Sequence, residues 1–368
     1  MDESKPASYN KTQKAVAEGP YGSTLSGSRV LRLALLIICC LMLGLITLLW
    51  ASVDIPFGTL ISILTGEDSE HASWNIIVRN IRLPRLLTAS LVGLCLGLAG
   101  LQLQTLFRNP LASPFTLGIS SGATLGVALT IWMVPGMAYF GEAGVEWVSN
   151  LSTISGAALG AFGMLGLMLA IAYRVKDMTT VLLFGVIAGA LIGALVTVLV
   201  YFGNERETRA FVEWGFGSFN KAGWAELPFF TLAAAIGLFL CILAIKPLNA
   251  LLLGERYARS LGVSLSRTRL IIMAGASILA GAVIAYAGPI GFIGIAVPHL
   301  CRALFHTSDH RWLVPATCFM GIALALACGL LAEWPGASQS LPVNAATALA
   351  GAPVAAWVLL KSRKGGWL

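Results

Sequence analysis

Ten long stretches of this chain contain no Asp, Glu, Lys or Arg, and short polar segments separate them. They are Leu33–Val53, Leu86–Phe107, Phe115–Val134, Leu151–Tyr173, Met178–Gly203, Leu227–Ile245, Leu270–Ala287, Pro289–Cys301, Trp312–Ala332 and Val343–Leu360. Most approach the ~20 residues a helix needs to cross the hydrocarbon core of a bilayer, and Pro289–Cys301 is shorter. The pattern predicts an all-α polytopic membrane protein of ten transmembrane helices. It also removes the intramembrane carboxylates and cations that an ion-coupled pump uses.

Composition agrees with this reading. Hydrophobic residues make up 57% of the 368 and charged residues 11%, against about 25% charged in an ordinary soluble domain. Mean hydropathy is +0.82. Little chain is left for a second soluble domain. The expected organisation is a disordered cytoplasmic tail over residues 1–28, polar and containing Pro, Gly, Ser and Lys, followed by one membrane domain over 29–368. The first apolar run exceeds a usual signal-peptide core and no A-x-A site follows it, so it is expected to be retained.

The net charge of +7 turns into topology once its distribution is considered. With the N-terminus inside and ten crossings, inner segments carry 18 of the 24 basic residues. Outer segments carry Arg79, Arg82, Arg85, Arg206, Arg209 and Lys221. Positive charge collects on the cytoplasmic side, so both termini are expected there. The halves, roughly 30–225 and 226–368, hold five spans each. An odd number per half gives them opposite orientation, as in an inverted repeat.

The glycines lie within the apolar stretches, as at Gly93, Gly97 and Gly100 or Gly156, Gly160 and Gly163. Such spacing suits close helix packing; gating points are the other reading. The seven cysteines form no C-x-x-C pair and read as small buried hydrophobes. His299, His306 and His310 gather near the inner end of the eighth stretch, as ordinary interfacial histidines, and no metal site is expected.

Three connecting segments stand out. Phe107–Gly118 carries two prolines and an Asn that stop one helix and start the next, with Pro114 suited to a first turn. Asn204–Glu226 mixes charge with Phe211, Trp214, Phe216, Phe219 and Trp224, which fits an interfacial or re-entrant helix at an aromatic belt or a pathway mouth. Leu251–Gly262 has apolar residues at helical spacing opposite charge. It predicts a short amphipathic helix at the membrane surface, anchoring in lipid or docking a soluble partner. The chain has no G-x-x-x-x-G-K-[ST], H-E-x-x-H or G-x-S-x-G motif, so it binds no ATP through a P-loop and has no recognisable catalytic residues. No cofactor and no nucleic-acid partner is expected.

These residues carry a family likeness. Ile81-Arg-Leu-Pro-Arg-Leu-Leu87 leads into an Ala/Gly-rich helix, followed by Gln104, Arg108-Asn-Pro-Leu-Ala-Ser-Pro114 and Leu117-Gly-Ile-Ser-Ser-Gly-Ala123. Then come Leu253-Gly-Glu-Arg-Tyr-Ala-Arg-Ser-Leu-Gly-Val263, Gly288-Pro-Ile-Gly-Phe-Ile-Gly-Ile-Ala-Val-Pro-His299 and Thr347-Ala-Leu-Ala-Gly-Ala-Pro353. Over about residues 30–362 the chain resembles the FecCD-type permeases. These are membrane subunits of bacterial type II ABC importers for iron–siderophores, haem and vitamin B12.

The resemblance implies a homodimer in the bacterial inner membrane, two ATP-binding subunits below it and a periplasmic substrate-binding protein above. It places binding-protein docking on Arg82 and Arg85. ATPase coupling falls on Gly254, Glu255, Arg256, Ala258, Arg259, Leu261 and Gly262. The pathway and its gate fall on Thr179, Thr180, Phe211, Trp214 and Phe216. Iron–siderophore or haem is the expected cargo on family frequency, with vitamin B12 as the alternative. Glu333 stands where relatives have an outer Arg, and Ser340 and Asn344 replace an acid and a Gly, so the partner surface is expected to differ. An ion-coupled transporter or a channel would explain neither the clean spans nor the coupling-type loop.

Overall fold

The computed structural model describes residues 20–50, 53–133, 146–175, 177–333 and 341–362, and the described residues are helices and turns. Each of the ten apolar stretches carries a helix. The elements are α1 (Pro20–Leu49), α2 (Phe57–Leu64), α3 (Ala72–Ile76), a π-helical segment (Ile77–Arg82), α4 (Leu83–Phe107), α5 (Ile119–Met133), α6 (Glu146–Arg174) and α7 (Met178–Phe202). They continue with α8 (Glu205–Gly215), α9 (Leu227–Leu252), α10 (Glu255–Ser260), α11 (Leu265–Ala287), α12 (Ile293–Phe305), α13 (His310–Ala332) and α14 (Val343–Ser362). Seven are long and apolar enough to cross a bilayer: α1, the run Ala72–Phe107, α6, α7, α9, α11 and α13. Helices α5 and α12 are apolar but shorter.

α4 forms the centre and packs against α9, α11, α12 and α13; α5 pairs with α6, and α1 lies on α13. In Ala72–Phe107 and in α11, 72% of the apolar window is buried, against 17% in α1 and α7. The peripheral helices expose their side chains: Leu183, Ile187, Leu191 and Leu195 on α7, and Leu31, Leu35, Ile38 and Met42 on α1. A helix that is apolar all round and bare on one side needs lipid or another apolar surface to cover it.

Small residues set the closest crossings. A Cβ on Gly93 would strike the carbonyl oxygen of Gly321, joining α4 to α13, and one on Gly100 would strike that of Gly294 on α12. Gly122 and Gly126 of α5 meet Gly160 and Gly156 of α6 in the same way. Backbones approach this closely only where no side chain intervenes. Gly163 is different: it faces open space, so it takes no part in the crossing.

Several sequence boundaries move. α1 begins at Pro20, so residues 20–28 of the expected tail are helical; residues 1–19 lie outside the described residues. α5 begins at Ile119, and Pro114 is not in its first turn. Ser113–Gly118 instead folds into successive turns, with Thr116 N–H to Ser113 O at 3.1 Å, Gly118 N–H to Phe115 O at 3.0 Å, and Gly118 at φ +72°. The Asn204–Glu226 segment does contain a helix, α8, started by a capping box between Asn204 and Glu207. The amphipathic Leu251–Gly262 segment contains α10. α2, not legible as a span, folds against the end of α1 through Leu48, Ile55, Leu60, Ile63 and Val78.

Candidate functional site

The polar chemistry collects at the two ends of the bundle. At one end, α8 and the loop after it are tied to the helix termini around them. Ser218 N–H bonds Ala287 O at 2.8 Å, Asn344 N–H bonds Phe216 O at 3.1 Å, and Leu341 N–H bonds Ala332 O at 2.7 Å. Asn344 also accepts from Gly291 N–H at 3.2 Å, a use for the residue that replaces the expected Gly. Gly217 and Gly288, at φ +68° and +83°, allow these turns.

Arg82 and Arg85 lie at this end but do not stand free on its surface. Arg82 is 4% exposed, and its guanidinium donates to the carbonyls of Leu48 and Val53. Arg85 pairs with Glu333 and reaches the carbonyl of Gly329 at 3.3 Å. The pair opens onto a cleft of ≈ 210 Å³ shared with Glu213, Phe216, Phe219 and Val343. Both arginines thus already hold partners within the chain. Ser340 lies outside the described residues.

The expected pathway residues divide. Phe211 stacks on Trp214 with centroids 6.1 Å apart, and Trp132 meets Phe211 edge-on at 5.5 Å. Phe216 is exposed, but Trp214 is buried and serves as a strut under Lys221, whose Nζ donates to the Trp214 carbonyl at 3.2 Å. Burial pushes the Lys221 ammonium down from 10.5 to about 8, against the pull of Glu213. Thr179 and Thr180 lie at the far end, in the first turn of α7. Asp177 caps that helix, accepting from the Thr180 N–H at 2.8 Å and its hydroxyl at 2.6 Å. The hydroxyl bond, then the backbone ones, hold the Asp177 carboxyl below its usual range.

That far end carries α10. Gly254 (φ +113°) and Gly262 (φ +81°) turn the chain out and back. Arg256, Arg259, Leu261 and Gly262 are exposed, while Ala258 is fully buried against the body. Glu255 faces Arg269 at 2.8 Å and Arg259 at 3.8 Å. An open cleft of ≈ 790 Å³ runs between Arg108 and Leu253–Ser260. The arrangement is a charged, exposed helix beside a groove.

Asn249, Arg302 and Asp309, which sequence reasoning passed over, join Gln104, Arg108 and the three histidines in a polar cluster behind α10. Arg108 donates to Leu251 O at 2.6 Å. Asn249 donates to Asp309 Oδ1 at 2.6 Å and accepts from the His310 N–H at 2.9 Å. Arg302 donates to Gln104 Oε1 at 2.7 Å, and Gln104 to Ile295 O at 3.2 Å. The three clustered histidines turn to different partners: His299 to Pro110 O, His306 to Arg32, and His310 to Asn249 and Thr105. Asp309 before an apolar run was a readable N-cap signal; the partners of Asn249 were not readable.

Comparison with known proteins gives a consistent result. Residues 35–361 match the model of the FecCD transport family. The hemin transport system permease protein HmuU of Yersinia pestis is 36% identical over 338 residues, 91% of this chain and 96% of the relative. The vitamin B12 import system permease protein BtuC of Klebsiella pneumoniae is 36% identical over 313 residues, 83% of this chain and 91% of the relative. Among solved structures, a metal-chelate type ABC transporter in an inward-facing conformation superposes with a TM-score of 0.77 at 28% identity, covering 89% of this chain and 98% of the other.

Proposed function

The chain belongs to the FecCD transport family, and we propose that it is the permease subunit of an ATP-driven importer carrying an iron chelate, iron–siderophore or haem, across the bacterial inner membrane. It is a multi-pass membrane protein whose relatives are ABC permeases. The single observation that carries the assignment is α10: an exposed charged helix between two positive-φ glycines, projecting beside an open groove, on a chain with no nucleotide motif of its own. ATP hydrolysis is then the work of two separate ATP-binding subunits seated on Gly254–Gly262.

The remaining architecture follows from this reading. Ten helices cross the membrane, with the α10 end and both termini cytoplasmic, because the basic excess lies at that end. Support for the inverted repeat comes from helix character. In each half the second long helix is the most buried (α4, α11) and the third is short (α5 and α12, 15 and 13 residues). The membrane domain occupies residues 29–368. The bare face of α7 meets a second copy of the chain across a central pathway, with Phe211, Trp214 and Phe216 near its mouth and Thr179 and Thr180 near its gate; lipid covers the outer helices. A periplasmic binding protein docks at the α8 end, its carboxylates engaging Arg85, and Arg82 behind it, as Glu333 is displaced.

The cargo assignment rests on the hemin permease, which covers the larger share of this chain, and on the metal-chelate type neighbour. The vitamin B12 permease is 36% identical as well, which makes cobalamin the competing cargo. The test is uptake into proteoliposomes containing this chain, its ATPase and its binding protein, with labelled ferric siderophore, haem and cobalamin offered in turn. ATP-dependent accumulation of an iron chelate is the expected result. Accumulation of cobalamin alone would replace the cargo, and accumulation by this chain alone on a proton or sodium gradient would replace the mechanism.

A further inference from the structure

The end of α9 is built differently from its body. Phe229, Leu232, Ile236, Phe239 and Leu243 are exposed along the helix. Pro247 lies inside it, and the helix continues to Leu252. Proline has no N–H, so the carbonyl of Leu243 loses its helical partner, and the helix bends there at least cost. Beyond Pro247 a short stub, residues 248–252, continues the buried stripe of Cys241 and Ala244 through Leu248 and Leu251, while Leu252 is exposed.

This stub is bolted to two other helices. Asn249 makes three hydrogen bonds to the start of α13: Nδ2 to Asp309 Oδ1 at 2.6 Å, and Oδ1 from the His310 N–H at 2.9 Å and from His310 Nδ1 at 2.7 Å. The oxygen that accepts the backbone N–H also faces Nδ1, so Nδ1 carries the ring proton. The other ring nitrogen of His310 lies 3.0 Å from the Thr105 hydroxyl of α4. Asp309 also caps α13 through the Arg311 N–H at 3.0 Å. Two residues on, the Leu251 carbonyl accepts from Arg108, the residue that ends α4, at 2.6 Å and from the Gly254 N–H at 3.1 Å, where α10 begins.

We propose that Asn249 is the positioning residue that carries displacement of α10 into α4 and α13, with Pro247 as the hinge that uncouples it from the lipid-facing body of α9. The inference rests on the importer reading, in which a partner moves α10. A push on α10 reaches the stub through two residues of backbone. From there the stiff route leads through Asn249 and the Leu251 carbonyl into α13 and α4, which cross at Gly93 and Gly321. Motion is thus delivered to α4, at the centre of the bundle.

The test uses the complete reconstituted importer and reads molecules transported per ATP hydrolysed. In N249D two carboxylates face each other, and the donor to Asp309 is lost. The ratio should fall about tenfold while the ATPase still co-purifies and hydrolyses ATP. The double variant N249D/D309N exchanges donor and acceptor: Asn at 309 donates to Asp at 249, which still accepts both bonds from His310, at the expense of the Arg311 N–H cap that shares Asp309 Oδ1. It should recover the ratio to within about threefold of wild type. P247A, which restores an N–H donor to the Leu243 carbonyl and stiffens the helix there, should lower the ratio about threefold without weakening ATPase binding. An unchanged ratio in N249D, or a loss of transport that only parallels loss of ATPase binding, overturns the proposal. If N249D does not assemble, the double variant decides: assembled and coupled supports it, assembled and uncoupled overturns it. Absence of ATP-driven uptake by the wild-type complex overturns the importer reading and this proposal together, whereas failure confined to the variants overturns this proposal alone.

Discussion

The guanidinium of Arg85, near the start of α4, is paired with the carboxylate of Glu333, at the end of α13; these side chains are 11% and 25% exposed. The pair joins residues 248 positions apart and fixes the central helix against the neighbour it crosses at Gly93 and Gly321. Glu333, at a position where the resemblance implies an Arg, therefore has a partner within the chain. A single charge reversal, R85E or E333R, leaves a partly buried charge unpaired and should cost about 1–3 kcal/mol. The swap R85E/E333R should recover most of it, as read from thermal unfolding of the purified protein. A double variant as unstable as the sum of the two singles would show that the pair does not hold the helices.

The exposed cations of α10 test docking apart from folding. Arg256 and Arg259 are both exposed, and Arg259 lies 3.8 Å from Glu255. Reversal of both to Glu should change stability by less than about 1 kcal/mol. Retention of the ATPase partner should drop in the same preparation, more strongly at low salt. Bulky replacements at Gly254 and Ala258 should do more. Gly254 sits at φ +113°, where side chains are rarely accommodated, and Ala258 is fully buried. Unchanged ATPase retention in all three variants would remove α10 from the docking site.

Gly160 and Gly163 differ by less than one helical turn and should differ sharply in tolerance. A Cβ at Gly160 would strike the Gly122 carbonyl, whereas one at Gly163 meets nothing within 4 Å. G160A should destabilise by about 1–3 kcal/mol through overpacking. G163A should be neutral, or stabilising by up to ~1 kcal/mol from helix propensity. Melting of the two variants in the same detergent gives the comparison, and equal melting temperatures would contradict the crossing.

Lys221 predicts the sign of a pH effect. Its folded value is about 8, below the ordinary 10.5, because burial disfavours the ammonium. The folded state therefore binds fewer protons than the unfolded state between these values, and stability rises with pH across that window. Below about 8 the cost of burying the charge is fully present. K221M should flatten the stability curve between about pH 8 and 10.5 relative to the native chain. An unchanged slope would place the titration elsewhere.

Spans, polarity and motif order were legible in the sequence because the bilayer imposes them locally. A run without charge long enough to cross must be helical, since its backbone has no other partners. The ten apolar stretches follow from that rule, the helices in Asn204–Glu226 and Leu251–Gly262 from their mixture of charge with apolar residues, and the motifs through Thr347–Pro353 led to the FecCD family.

The sequence did not determine which side chains meet. Charge counting brought Arg82 and Arg85 to one end of the bundle, but only packing turned Arg82 inward onto Leu48 and Val53 and set Arg85 against Glu333. The aromatic residues after α7 looked alike in sequence; the fold buries Trp214 and leaves Phe216 exposed. Asn249 had no distinguishing signal at all. Its importance comes from His310 and Asp309, about 60 residues away, arriving within 3 Å of its amide. Hydropathy is a sum over neighbours along the chain, whereas a hydrogen bond depends on where two distant segments lie to within a few tenths of an ångström, and that was decided only when the helices packed.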